Sequence, residues 1–169
     1  MVSWSLFILA ALVSMLVAGA VLLISARRHS ALRPWATVVG ASVAAMPLAI
    51  VLHNLVSALI GGEEAVFFVV ALVVAPAAFA VGVVGAGLAL TRNASDRSVG
   101  VSLLVAGGGM ALFELYMIGA LLVTTVLGGN PPWQGPIEAV VLPVSLLALT
   151  GGSLLGLYYV FIPPSRALA

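Results

Sequence analysis

Five apolar stretches, at 2–26, 34–62, 65–91, 98–137 and 139–165, account for nearly the whole chain. A helix of about 20 apolar residues crosses the hydrocarbon core of a bilayer, so each stretch suffices and the fourth leaves a loop to spare. Strands fit poorly, because a membrane barrel alternates polar and apolar residues over segments of about ten, and these runs are continuous. With no water to satisfy backbone N–H and C=O groups, uninterrupted runs of this length are helices. The expected fold is an all-α polytopic membrane protein, a five-transmembrane-helix bundle with helices at about 4–25, 35–60, 64–90, 98–127 and 136–162, forming one integral membrane domain over 1–169.

Orientation follows from the charges. The six basic side chains are all arginines, and a five-pass threading puts every one of them on the same side. Arg27, Arg28 and Arg33 fall between the first two segments, Arg92 and Arg97 between the third and fourth, and Arg166 after the fifth. Excess arginine marks the cytoplasmic side, so the N-terminus is expected outside, the C-terminus in the cytoplasm, and the protein multi-pass in the inner (plasma) membrane of the cell. Glu63, Glu64 and Glu138 fall on the outer side, and Asp96 is the exception. Ala18-Gly19-Ala20 has the small-residue spacing of a signal-peptide cleavage site, but a signal peptide carries its positive charge before the apolar run and here the arginines follow it. The first segment reads as a retained anchor.

Charged residues are 7% of the chain, against roughly a quarter in a soluble domain, which leaves no separate soluble domain. There is no basic stripe for nucleic acid. The absence of cysteine removes disulfides, thiol redox chemistry and thiolate metal sites. The partners expected are the lipid bilayer and, on one reading below, other membrane subunits or a homo-oligomer.

Prolines at 47, 76 and 143 and the run Gly107-Gly108-Gly109 interrupt the helical pattern. Proline in a membrane helix is commonly a structural kink whose freed carbonyl is satisfied by neighbours, while broken helices in transporters line binding sites near the midplane. Small residues let membrane helices approach closely. Stripes of them run through Ala41, Ala45 and Ala49 towards His53 and Ser57, and from Glu64 through Ala71, Ala75, Ala78 and Gly82. Two more join Gly100, Gly107, Ala111 and Glu114, then Glu138, Ser145 and Gly156.

Four ionisable residues therefore lie on packing faces: Glu114, His53, Glu64 and Glu138. Intramembrane ionisable groups face the bundle interior and mark proton relays or ion paths. Counting ~1.5 Å per residue from the outer helix ends puts Glu64 and Glu138 at the outer interface, His53 roughly 10 Å below it and Glu114 roughly 20 Å below it. Polar groups thus descend to the middle and stop, with only hydroxyls such as Thr37, Ser102, Thr150 and Ser153 beyond. That pattern disfavours an open channel and suits a dead-end outer vestibule.

Each residue also has a plainer reading. Glu114 can be a protonated acid bonded to a neighbouring helix, and His53 a satisfied packing residue. Glu63, Glu64 and Glu138 can act as negative charges at helix N-termini. Trp133 and Tyr116 suit an interface anchor and a core residue. Imidazole with carboxylates would suit zinc, copper or iron, and Met46, Met110 and Met117 could add thioethers for Cu(I), but no two ligands have diagnostic spacing. His29 falls on the opposite face from His53, which argues against bis-histidine haem. The sequence thus identifies no metal and no cofactor.

Enzyme chemistry is weakly represented. The pair Glu63-Glu64 with a histidine lacks the arginine and the two further histidine motifs that intramembrane glutamate proteases require, and no Ser/His/Asp set or phosphate-cradling glycine loop occurs. Two functional expectations follow. The chain is a small membrane protein whose outward-facing vestibule binds a proton, metal cation or small polar ligand, for transport or sensing; or it is a structural or assembly subunit of a larger membrane complex.

Overall fold

The computed structural model describes residues 4–61, 66–129 and 134–162. Glu63, Glu64, Trp133 and Arg166 lie outside these residues. Five long helices fill the described chain: α1 (Trp4–Arg28), α2 (Arg33–Ile60), α3 (Val66–Thr91), α4 (Arg97–Leu127) and α5 (Gln134–Phe161). All five are long and apolar enough to cross a membrane, with no strand among the described residues. The architecture is that of a multi-pass membrane protein.

The helices overrun the hydropathy boundaries. Helix α1 continues through Arg27 and Arg28 in its last turn, where positive charge complements the macrodipole. Helix α2 starts at Arg33 because Pro34 suits a first helical turn whose N–H groups have no helical acceptor. At their far ends α2 and α4 stop at Gly61 and Gly128, both left-handed at φ 68° and 70°. Their N–H groups bond back to the Ser57 and Thr124 carbonyls, the usual glycine stop of a helix.

Neighbours in sequence pack side by side, and α1 meets α5 to close the ring. The α1–α5 seam carries a hydroxyl pair, Ser14 Oγ to Thr150 Oγ1 at 2.9 Å. Phe79, Met15, Leu22, Leu103 and Val83 are fully buried at its centre. His29 Nε2 lies 3.0 Å from Asp96 Oδ2, which ties the α1–α2 junction to the α3–α4 junction. Arg27, Arg28, Arg33, Arg92 and Arg97 therefore sit at one end of the bundle, called here the arginine end.

In the half towards that end, glycines bring backbones into contact. A Cβ added at Gly152 would lie 2.5 Å from the Ala106 nitrogen, and one at Gly109 would lie 2.6 Å from the Ser145 carbonyl oxygen. Gly87 and Gly100 face each other across α3 and α4, each placing a carbonyl oxygen within 2.9 Å of the other's missing Cβ. Only hydrogen fits at these points.

Helix α3 is not α-helical throughout. Val70–Val74 widens into a π turn, and Ala75 N–H bonds to the Val70 carbonyl. The cause is Pro76: it has no N–H, and its ring would collide with the carbonyl four residues back, so the chain widens to the i→i+5 pattern just ahead of it. At least one carbonyl among residues 71 and 72 is left without a helical donor.

Candidate functional site

Glu114 is the deepest ionisable residue among the described ones, at 4% exposure. Neither carboxyl oxygen has a hydrogen-bond partner among the described residues. Its position follows from the α3–α4 register. Gly107 packs on Val83 and Val84 of α3; Glu114 lies two turns further along the same face. In these antiparallel helices that brings it opposite the Pro76 region, where α4 touches the π turn. The register thus sets this buried carboxyl at the level of Pro76 and the π turn of α3.

Glu138 has a different setting. It is half-buried on α5, and its Oε2 accepts a hydrogen bond of 3.2 Å from the Tyr116 hydroxyl of α4. Gln134 Oε1, one turn earlier on α5, is buried without a partner among the described residues. Counting from the helix start puts Glu138 at the outer interface, but the bond to Tyr116 sets it level with a residue only two positions beyond Glu114. The reason is unequal length: α4 runs to Leu127, well past the level at which α5 begins, so the first turn of α5 lies deeper than the last turn of α4.

His53 lies on a third seam. It is half-buried on α2, and its ring centroid is 5.6 Å from that of Phe68 on α3, tilted by 50°. The same register pairs Val39 with Gly82, which sets Met46 opposite the Pro76 region. His53 is then roughly 10 Å nearer the far end than Glu114, by ~1.5 Å per residue. The structure thus distributes these side chains over consecutive seams, His53 on α2–α3, Glu114 on α3–α4 and Glu138 on α4–α5. Glu64 is outside the described residues. No group of three or more His, Asp or Glu among the described residues could hold a metal ion, and Met46 and Met110 are buried in the apolar core.

Two polar features escape the sequence reading. Ser145 Oγ is buried without a partner among the described residues, and Ser145 lines a small apolar cavity with Gly109, Met110 and Phe113, the last beside Glu114 in sequence. At the arginine end, His29, Asp96, Arg28, Ser98 and Tyr159 line a polar pocket. The signal for the second was present: an odd threading of five spans brings the 27–33 and 92–97 junctions to one side, so the lone acid of that side had a histidine as its nearest candidate.

Compared with known protein families, with curated proteins and with solved structures, the chain has no match.

Proposed function

We propose that this is a plasma-membrane protein, N-terminus outside and C-terminus cytoplasmic, that binds a proton or small cation at Glu114 in the course of transport or sensing. One observation carries the reading: a carboxyl buried in a membrane-spanning helix with neither oxygen bonded to any described residue. An unserved buried polar group costs about 1–3 kcal/mol, more if charged, and such residues in membrane spans are by default functional. The π turn opposite it adds acceptor carbonyls that a protonated carboxyl or a cation can use, and π turns occur frequently at functional sites. Glu138 with Tyr116, and His53 nearer the far end, supply polar groups between Glu114 and the outer side.

The experiment is proton or cation flux into liposomes holding the purified protein, with difference infrared spectroscopy of the carboxyl stretch. Glu114→Gln is expected to abolish flux and remove a protonated-carboxyl band, while Glu138→Gln keeps both. Wild-type flux in Glu114→Gln would sink the proposal.

A second reading, an accessory subunit, draws on α2. Only 11% of its most apolar window is buried, against 39% in α1, α3 and α4, and Asn54 is exposed on it. A partner helix could occupy that face. Co-purification of a larger protein under mild detergent, lost on Asn54→Leu, would favour this reading; a stable monomer unaffected by the change would remove it.

A further inference from the structure

We infer that the polar pocket at the arginine end binds the phosphate of an anionic phospholipid headgroup. Charge comes first. Arg27, Arg28, Arg33, Arg92 and Arg97 are exposed at this end and none pairs with an acid among the described residues. The single acid there, Asp96, is already occupied: it takes the His29 contact at 3.0 Å, the Ser95 hydroxyl at 2.9 Å and the Asn93 amide at 3.5 Å. The positive charge of this end is therefore left for an external anion.

The pocket is where that charge meets directed donors. Arg28 and His29 line it from the end of α1, and Ser98 from the first turn of α4. Asp96 stands at the N-cap of α4 yet makes no side-chain capping bond, since its carboxylate is turned to His29 and Ser95. The positive end of the macrodipole of this 31-residue helix stands beside the pocket. The Ser98 hydroxyl also has no bond to any described residue. Asp96 lines the same pocket, its carboxylate engaged by His29 and Ser95, which line it too.

The wall of the pocket indicates a lipid rather than free phosphate. Tyr159 and the buried Val160, at the end of α5, form one side of it, and an apolar flank with a phenol at its edge suits a headgroup that continues into acyl chains. The pocket also lies at the ends of membrane-spanning helices, the level of lipid headgroups, where basic pockets between helices hold anionic lipids.

The test is thermal unfolding of the full chain in nonionic detergent, titrated with phosphatidylglycerol, phosphatidylcholine or inorganic phosphate, with native mass spectrometry to count retained lipid. Phosphatidylglycerol is expected to raise the Tm and to stay bound, and phosphatidylcholine to do neither. Losing one charge-assisted contact in Arg28→Gln should weaken the apparent affinity about tenfold, whereas Arg33→Gln, outside the pocket, should leave it little changed. His29→Gln should weaken it too, because Asp96 is then free to cap α4. If Arg28→Gln does not fold, Ser98→Ala takes its place with a smaller loss. Equal stabilisation by phosphatidylcholine, or equal loss in Arg33→Gln, overturns the built site. The full effect from inorganic phosphate alone overturns the lipid. Neither result bears on Glu114, which lies far from this pocket along α4.

Discussion

The two halves of the bundle differ in how their buried polar groups are served, although hydroxyls bond the carbonyl four residues back in both, as at Thr124 and Thr125 of the far half. Towards the arginine end, Ser25, Ser42, Ser102 and Ser153 each donate to the carbonyl four residues back, at 2.6–2.8 Å, His29 meets Asp96, and glycines at 87, 100, 109 and 152 press backbones together. From the midplane towards the far end, both oxygens of Glu114 and Gln134 Oε1 are buried without partners among the described residues, and Gly119 has open space where a Cβ would go. One half is finished as a scaffold. The other keeps unserved polar atoms in low dielectric, where each costs free energy.

Substitutions can break or sharpen the contrast. Gly152→Leu pushes a side chain against the α4 backbone and should lower stability by about 3 kcal/mol, the upper range for overpacking. Gly119→Ala in the far half should be neutral or slightly stabilising, since alanine favours helix. Thermal unfolding in detergent measures both, and equal losses would erase the difference between the halves. Glu114→Leu should raise stability by about 1–3 kcal/mol, because an unserved polar group is replaced by an apolar one, while abolishing any proton or cation response. A drop in stability would mean that the carboxyl has a partner. Tyr116→Phe, which removes the bond to Glu138, should cost about 0.6 kcal/mol, the usual size of an interhelical hydrogen bond in a membrane. Smallest of all is the serine pair: Ser145→Ala should be neutral or mildly stabilising and Ser153→Ala mildly destabilising, and a reversal of that order would contradict the hydrogen bonding described for each.

Much of the architecture was legible because a bilayer admits so few solutions. Segment order and the clustering of arginines follow from run length and charge alone. Packing faces were harder. On α2 the stripe Ala41, Ala45, Ala49 and His53 steps by four residues and so rotates about 40° at each step; Ala41 ends up exposed, and the buried face runs through Ala36, Val39, Ser42, Met46 and Ala49 instead. The striping on α3 and α4, which mixes sevens with fours, tracks the buried side well: Ala71, Ala75 and Gly82 are buried, as are Gly100, Gly107 and Glu114. That Glu138 stands level with Tyr116 was not legible, because a sequence does not show how far one helix overhangs its neighbour. Pro76 announced a disturbance in α3, but whether the backbone kinks or widens is decided by what packs against it.

The π turn and the glycine contacts together restrict how this molecule can move. Below Pro76, α3 is clamped to α4 by Gly87 against Gly100, so sliding or rolling there would drive backbone into backbone. Above it, Val66–Val74 is joined to the rest by a turn whose hydrogen bonding is already loosened. A movement of this part of α3 would be a swing of that short lever about the proline, with Glu114 level with the pivot rather than with the moving tip.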